Sequence, residues 1–538
     1  MAKNASQLPL GRSHFPALRD SGALYVDKTR LVADLAKVDG KLFLARPRRF
    51  GKSLLVSTFE TLFANGLRDF QGLAIEPRWK DKTYQVVRLD FAEVKAFRTL
   101  DEFSERFSAY IALRFARAGF ACAAGLDAVL QLSNWLDARP VRSLVVLIDE
   151  YDAPLAACLG ADELFEGVSM IMRRFFAVFK SSGGCLRFFF MTGITKLSES
   201  GIFSEFNDLT DLTDISLDPA FGALLGFTED EVKSCFWNRL EEAAALLDLP
   251  ADETLARLKA RYGGYCFDAG AQVRVLCPWS VLNFLASPQQ GFVDYWFASG
   301  GHASVLLNYL QWLGLDDPLW YAREKTLWLR DMSAASSHRG RNRASLLFQA
   351  GYLTIGSVSA NGVVELVYPN EEVAVSMAQL YADELLVHVP FRSKDNQALA
   401  SVLETGGVQD VVRRFNDLLD ALDHARRPIV DEAACAAYLQ VLLTGAEMLP
   451  QVRTVLAQGE GVLEIDAGAR RWVFEIKCAG GTQEAPGVLQ EDALKLLQKH
   501  RGKSPRGGRE LFEVALVFSK DAQRFVRWRA ISGPGKSG

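Results

Sequence analysis

A chain of 538 residues is too long for one hydrophobic core and implies several domains. Hydrophobic residues at 49% and charged residues at 23% are a globular composition, and a formal net charge of -4 carries no whole-chain signature of nucleic-acid binding. The 8 cysteines form no CxxC pair and lie near none of the 6 histidines in a zinc-like spacing, which fits reduced thiols in cytoplasm, and neither a signal-peptide core nor a run of ~18 apolar residues is present.

Residues 1 to about 215 alternate between strand and helix patterns. Residues 41–45 (KLFLA), 85–91 (QVVRLDF), 143–148 (SLVVLI) and 187–192 (RFFFMT) are short apolar runs, with helical patterns at 100–118 and 164–179. Continuous apolar strands separated by helices predict a parallel sheet covered on both faces. Residues 216–395 are mostly helical. Within them, a helix at 345–353, a hairpin turning at Ala360-Asn361-Gly362 and a helix opening after Pro369-Asn370 suit a winged-helix module. Such a module can read DNA or serve as a packing lid. From 396 to 535 come helices at 408–422 and 432–443, strands at 461–465 and 471–476, a helix at 489–500, and strands at 513–519 and 525–528. The expected class is α/β, with a mostly helical middle region, in three domains.

The run Arg46-Pro47-Arg48-Arg49-Phe50-Gly51-Lys52-Ser53 follows a strand and opens a helix. Its end has the logic of a phosphate-binding loop. Glycine lets backbone approach phosphate, lysine reaches the terminal phosphates, and the serine hydroxyl ligates Mg²⁺. Arg46 stands where the usual pattern has glycine, so Gly51-Lys52-Ser53 alone is a weak signal. The strand at 143–148 supplies the complement, because it runs into Asp149 and Glu150. Asp149 suits the shell of Mg²⁺, and Glu150 suits polarisation of the attacking water. Thr192, Thr195 and Lys196 end another strand, and could sense the γ-phosphate or be ordinary loop polarity.

These pieces, with Tyr25-Val26-Asp27-Lys28-Thr29, Gly226-Phe227-Thr228, Tyr262-Gly263-Gly264-Tyr265, Pro278-Trp279-Ser280, Tyr295-Trp296 and Gly351-Tyr352-Leu353-Thr354-Ile355, resemble a known family. It is that of bacterial AAA-ATPase-like proteins with a C-terminal domain of the PD-(D/E)XK nuclease superfamily. The resemblance implies a P-loop NTPase sheet, a helical and winged-helix-like middle and a restriction-endonuclease-like α/β domain. It also implies ATP and Mg²⁺ as cofactors, with Arg46 to Ser53, Asp149 and Thr192 at the nucleotide, and it makes the arginine-rich loop a family variant.

Glu475 and Lys477 lie on one face of a strand, as alternation requires, and match the family's ExK positions. Read alone, they equally suit an exposed face carrying a salt bridge. The resemblance places a metal-binding aspartate on the preceding strand, but Val462 occupies that position and Glu460 its arginine position. Glu464, two residues on, is the candidate replacement ligand beside Glu475, and Glu432 the candidate helix carboxylate. Cleavage needs a metal held by enough negative charge to activate water. Arg501, Lys503, Arg506, Arg509, Lys520, Arg524, Arg527 and Arg529 make the C-terminal stretch locally basic, which suits DNA or RNA or a merely solvated surface. The expectation is an ATPase coupled to a nuclease-like domain. The alternative is a nucleotide-dependent switch whose nuclease fold does not cut.

Overall fold

The structure is a computed structural model. It describes residues 7–38, 40–123, 127–181, 183–196, 212–299, 318–332, 343–385, 396–425, 427–445, 452–455, 461–480, 485–500 and 509–532. The chain divides into two compact units. One is Met1–Tyr309 with Lys325–Glu372, and the other is Leu310–Glu324 with Val373–Gly538.

The first unit is built on five strands: β1 (Lys41–Ala45), β2 (Gln85–Asp90), β3 (Leu144–Asp149), β4 (Leu186–Gly193) and β5 (Leu212–Asp214). Their order is β2-β3-β4-β1-β5, with every neighbouring pair parallel. The unbroken apolar strands have the expected cause, since both faces are covered. Helix α1 (Lys52–Asn65) lies on one face, where Phe59 and Phe63 pack on Phe188 at 5.0 and 4.9 Å. On the other face, Phe189 and Met191 join residues of α2 (Leu100–Ala116), α3 (Ala128–Asp137) and α4 (Asp162–Ser181) in one core. Alternate residues of the FFFM run thus feed opposite layers. Because the strands are parallel, β1, β3 and β4 all end at the same edge, which is where open α/β sheets bind ligands.

Helices α5 (Glu229–Leu246), α6 (Ala251–Tyr262) and α7 (Pro278–Ala286) enclose a second core around Phe236, Leu258 and Phe284. A capping box of Thr228 and Glu231 starts α5. The expected hairpin appears as β7 (Thr354–Val358) and β8 (Val363–Val367) after helix α8 (Arg343–Ala350). A strand not foreseen, β6 (Lys325–Trp328), pairs with β8 to give the order β6-β8-β7. Its four residues are too few for a periodic signal. Ser345, Leu346, Leu347, Phe348 and Gln349 of α8 are all buried. The helix that would read DNA in a winged-helix module is therefore a packing element.

In the second unit, β9 (Val452–Val455), β10 (Gly461–Ala467), β11 (Arg470–Ala479), β12 (Glu510–Ser519) and β13 (Arg524–Ser532) form a mixed sheet in the order β13-β12-β11-β10-β9. Only β11 and β12 are parallel, and α11 (Pro486–His500) connects them, after α9 (Val408–Asp420) and α10 (Glu432–Gly445). A parallel pair needs such a crossover. Asn416 of α9 anchors β13 by donating to Phe525 O at 3.0 Å and accepting from Phe525 N at 2.8 Å.

Candidate functional site

At the edge where β1 and β3 end, a cavity of about 530 Å³ is lined by residues Arg48 to Leu55, Glu150 and Lys95 on one side. Tyr25, Val26, Lys28, Leu224 to Phe227, Trp279 and Leu282 are among the residues that line the rest. The arginine-rich loop leaves β1 and turns into α1 at Gly51, whose φ of +96° suits glycine and few other residues. Lys52 is the first helical residue. Its Nζ donates to Arg46 O and Pro47 O, both at 2.9 Å, so the ammonium is folded into the loop. Burial pulls it down to about 8, against the attraction of Asp149, Asp152 and Glu150. A phosphate group offers that ammonium the charge partner it lacks in the loop.

Asp149 is buried at the end of β3. The Ser53 hydroxyl lies beside its carboxylate, and Glu150 N donates to Oδ1 at 3.1 Å. Oδ2 is buried and accepts no hydrogen bond among the described residues, with Arg88 at 3.9 Å. Burial raises the Asp149 carboxyl, and Ser53 and Lys52 oppose that shift. A serine hydroxyl beside an incompletely satisfied buried carboxylate is a donor set that fits Mg²⁺ arriving with phosphates. Glu150 adopts φ +46°, a strained conformation for a residue with a side chain. Its carboxylate lines the cavity and takes no hydrogen bond or ion pair among the described residues.

Several expected contacts are placed elsewhere. The Arg46 side chain is turned away from the cavity and buried. It donates to Ala45 O, Ser216 O and Phe221 O at 2.9, 2.6 and 3.3 Å and stacks on Phe267. Its bulk fills space beneath the loop, and the expected role at the nucleotide gives way to a structural one. Thr192 is buried and donates to Leu44 O at 2.7 Å, tying β4 to β1 instead of facing phosphate. Asp152 Oδ2 accepts from Ile194 N, Thr195 N and Thr195 Oγ1, and Lys196 pairs with Asp214 at 3.0 Å. The loop after β4 is thereby pinned to the end of β3. Pro47 also leaves the cavity, to face the glycine at position 351.

What the loop reading missed is its scaffold. Trp296 Nε1 donates to Arg48 O at 3.2 Å, Arg49 stacks on Trp279 at 4.1 Å, and Phe50 packs edge-on against Tyr265 at 4.8 Å. A Cβ at Gly351 (φ +91°) would meet Pro47 at 2.6 Å. Motifs scattered over residues 262–352 converge on one loop, a fact that linear spacing does not carry. Asp90 was also missed. It ends β2 directly opposite Asp149, and burial, with Asp149 and Glu150 nearby, lifts its carboxyl to about 6.

In the second unit, Glu475 is buried with Lys477 Nζ at 3.7 Å. The antiparallel register sets Val462 opposite Glu475 and Glu464 opposite Val473. Glu464, the candidate replacement ligand, pairs with Arg471 at 2.7 Å. Glu432 accepts from Cys478 N at 3.1 Å. Among the described residues, no group of three or more His, Cys, Asp and Glu could hold a metal. Glu460, Arg501, Lys503 and Arg506 lie outside the described residues.

A family model described as a predicted AAA-ATPase, AAA-ATPase-like, matches residues 9–203. An uncharacterized protein in the vnfD 5' region of Azotobacter chroococcum mcd 1 is 31% identical over 378 residues, 69% of each chain. The chain belongs to the AAA-ATPase-like family. A solved structure of a DNA replication initiation factor is 9% identical, spans 78% of this chain and 92% of its own, and has a TM-score of 0.23. The matched part of this AAA-ATPase-like chain contains the loop, Lys52, Ser53, Asp149, Glu150, Asp90 and Lys95. It ends before the motifs that scaffold the loop, and the second unit lies beyond it. No helix among the described residues is long and apolar enough to cross a membrane.

Proposed function

We propose that the first unit binds Mg²⁺-ATP in the cavity above α1 and hydrolyses it. The observation that carries this reading is the meeting of Lys52, Ser53, Asp149 and Glu150 from two separate sequence segments at one sheet edge. On binding, Lys52 leaves the two loop carbonyls for phosphate. The backbone N–H groups at the start of α1 hold the same anion. Ser53 and Asp149 would hold the metal, which neutralises phosphate charge. Glu150, with its carboxylate unengaged, orients the attacking water and takes its proton. Arg48 and Arg49 remain candidate phosphate contacts at the cavity wall, though Arg49 must first leave Trp279.

Lys52→Ala should lower phosphate release by purified protein about 100-fold, with the melting curve retained. Equal release by wild type and variant would sink the reading.

We propose three functional parts in the chain, 1–215, 216–395 and 396–535, the last a nuclease-like effector that engages nucleic acid or a protein partner without cutting. The mixed sheet with its β11–α11–β12 crossover and the pair Glu475 and Lys477 support the kinship. Val462 opposite Glu475, and Glu464 held by Arg471, favour the non-cutting form.

A further inference from the structure

Lys95 lines the same cavity as Lys52, Ser53 and Glu150. It is exposed and makes no hydrogen bond or ion pair among the described residues. Exposure alone means little for a lysine. Its position means more. Lys95 caps the end of a short 3-10 turn, Phe91–Val94, that leaves β2. Asp90 fixes the start of that turn by accepting from Ala92 N at 3.0 Å, and Phe91 and Val94 are buried. The lysine therefore emerges from a fixed backbone. In the sheet order, β3 with Asp149 and Glu150 lies between β2 and the loop-bearing β1. Lys95 thus reaches the cavity past the carboxylates, from the edge strand, whereas Lys52 reaches it from the loop.

The electrostatics point the same way. Asp90, Asp149 and Glu150 gather at this edge, yet Lys95 is bonded to none of them. The ammonium is a compact point charge on a flexible stem, able to follow an incoming anion.

We infer that Lys95 contacts the terminal phosphate of the bound nucleotide and supplies positive charge there from within the same chain. The inference rests on the nucleotide reading above. A cation at that position neutralises charge on the transferred phosphoryl oxygens, and its effect is greatest in the transition state.

The test uses the full chain with Lys95→Ala and Lys95→Arg, measuring steady-state ATP hydrolysis and the affinities of ADP and of ADP–beryllium fluoride. Lys95→Ala should lower kcat about tenfold or more and weaken ADP–beryllium fluoride, with ADP affinity unchanged within about twofold. Lys95→Arg should recover much of both. Wild-type kcat and wild-type beryllium fluoride affinity in Lys95→Ala would overturn the inference. An equal loss of ADP affinity, unrepaired by arginine, would do so too, since it marks a structural role. If wild type itself binds no ATP, the nucleotide reading fails first and takes this one with it. Lys52→Ala, run beside it, separates the two failures.

Discussion

Arg46 shows how one side chain can look like a ligand contact and be a structural pin. In an arginine-rich loop beside a phosphate-binding lysine, its charge suggests phosphate. The structure instead satisfies it with three carbonyls and the face of Phe267. Burial holds the guanidinium below its ordinary value without removing the charge. Arg46→Ala would take a donor from each of those carbonyls and leave a void against Phe267. It should cost about 2–4 kcal/mol in urea unfolding, with Arg46→Lys recovering little because an ammonium cannot span the fork of acceptors. Stability within about 0.5 kcal/mol of wild type would contradict the pinning role.

At the scale of elements, the loop owes its shape to neighbours distant in sequence, and one carboxyl holds several of them together. Glu372, in the first turn of the helix Glu371–Leu385, accepts from Ser280 Oγ at 3.0 Å and from Trp296 N at 2.6 Å. Trp296 in turn grips Arg48 O. Burial lifts the Glu372 carboxyl to about 8, well above its ordinary 4.5. The folded state then holds this proton more tightly than the unfolded chain. Stability contributed by the neutral carboxyl is full below about 4.5 and is lost as pH rises through about 8. Glu372→Gln cannot ionise and keeps an acceptor for Trp296 N. It should gain on wild type between pH 5 and pH 9 by on the order of 2 kcal/mol, read as a widening difference in Tm. A difference in Tm that does not change with pH would count against a neutral buried carboxyl.

At the scale of the molecule, the two units differ in how complete their chemistry is. The first gathers a lysine, a hydroxyl and two carboxylates at one cavity. In the second, β10 offers Val462 to Glu475 and gives Glu464 to Arg471. Supercoiled plasmid incubated with Mg²⁺ or Mn²⁺ and ATP should be nicked no faster by wild type than by Glu475→Ala. Nicking by wild type that Glu475→Ala abolishes would restore the enzyme reading. The basic C-terminal stretch is also less basic in space than in sequence. Arg509 meets Asp466, Arg524 meets Asp420 and Arg529 meets Glu491, at 3.5, 3.7 and 2.9 Å. Those acids come from other elements, so a count of near neighbours along the chain overstates the positive surface.

The sequence by itself determined the parallel sheet, because doubly buried strands must be apolar throughout, as residues 144–148 and 188–191 are. It also determined which strands lead into the loop before Lys52 and Ser53 and into Asp149 and Glu150, since periodicity and punctuation are local properties. The hairpin of β7 and β8 was legible for the same reason, whereas β5, β6 and β9 span too few residues to show a period. Side-chain direction belonged to the tertiary structure. Whether Arg46 faced phosphate or carbonyls, whether α8 was exposed, which base Glu464 joined, whether Lys95 reached the cavity and whether Asp90 lay opposite Asp149 depended on strand order and register. Those are set by packing between segments tens to hundreds of residues apart, and no window of sequence contains them.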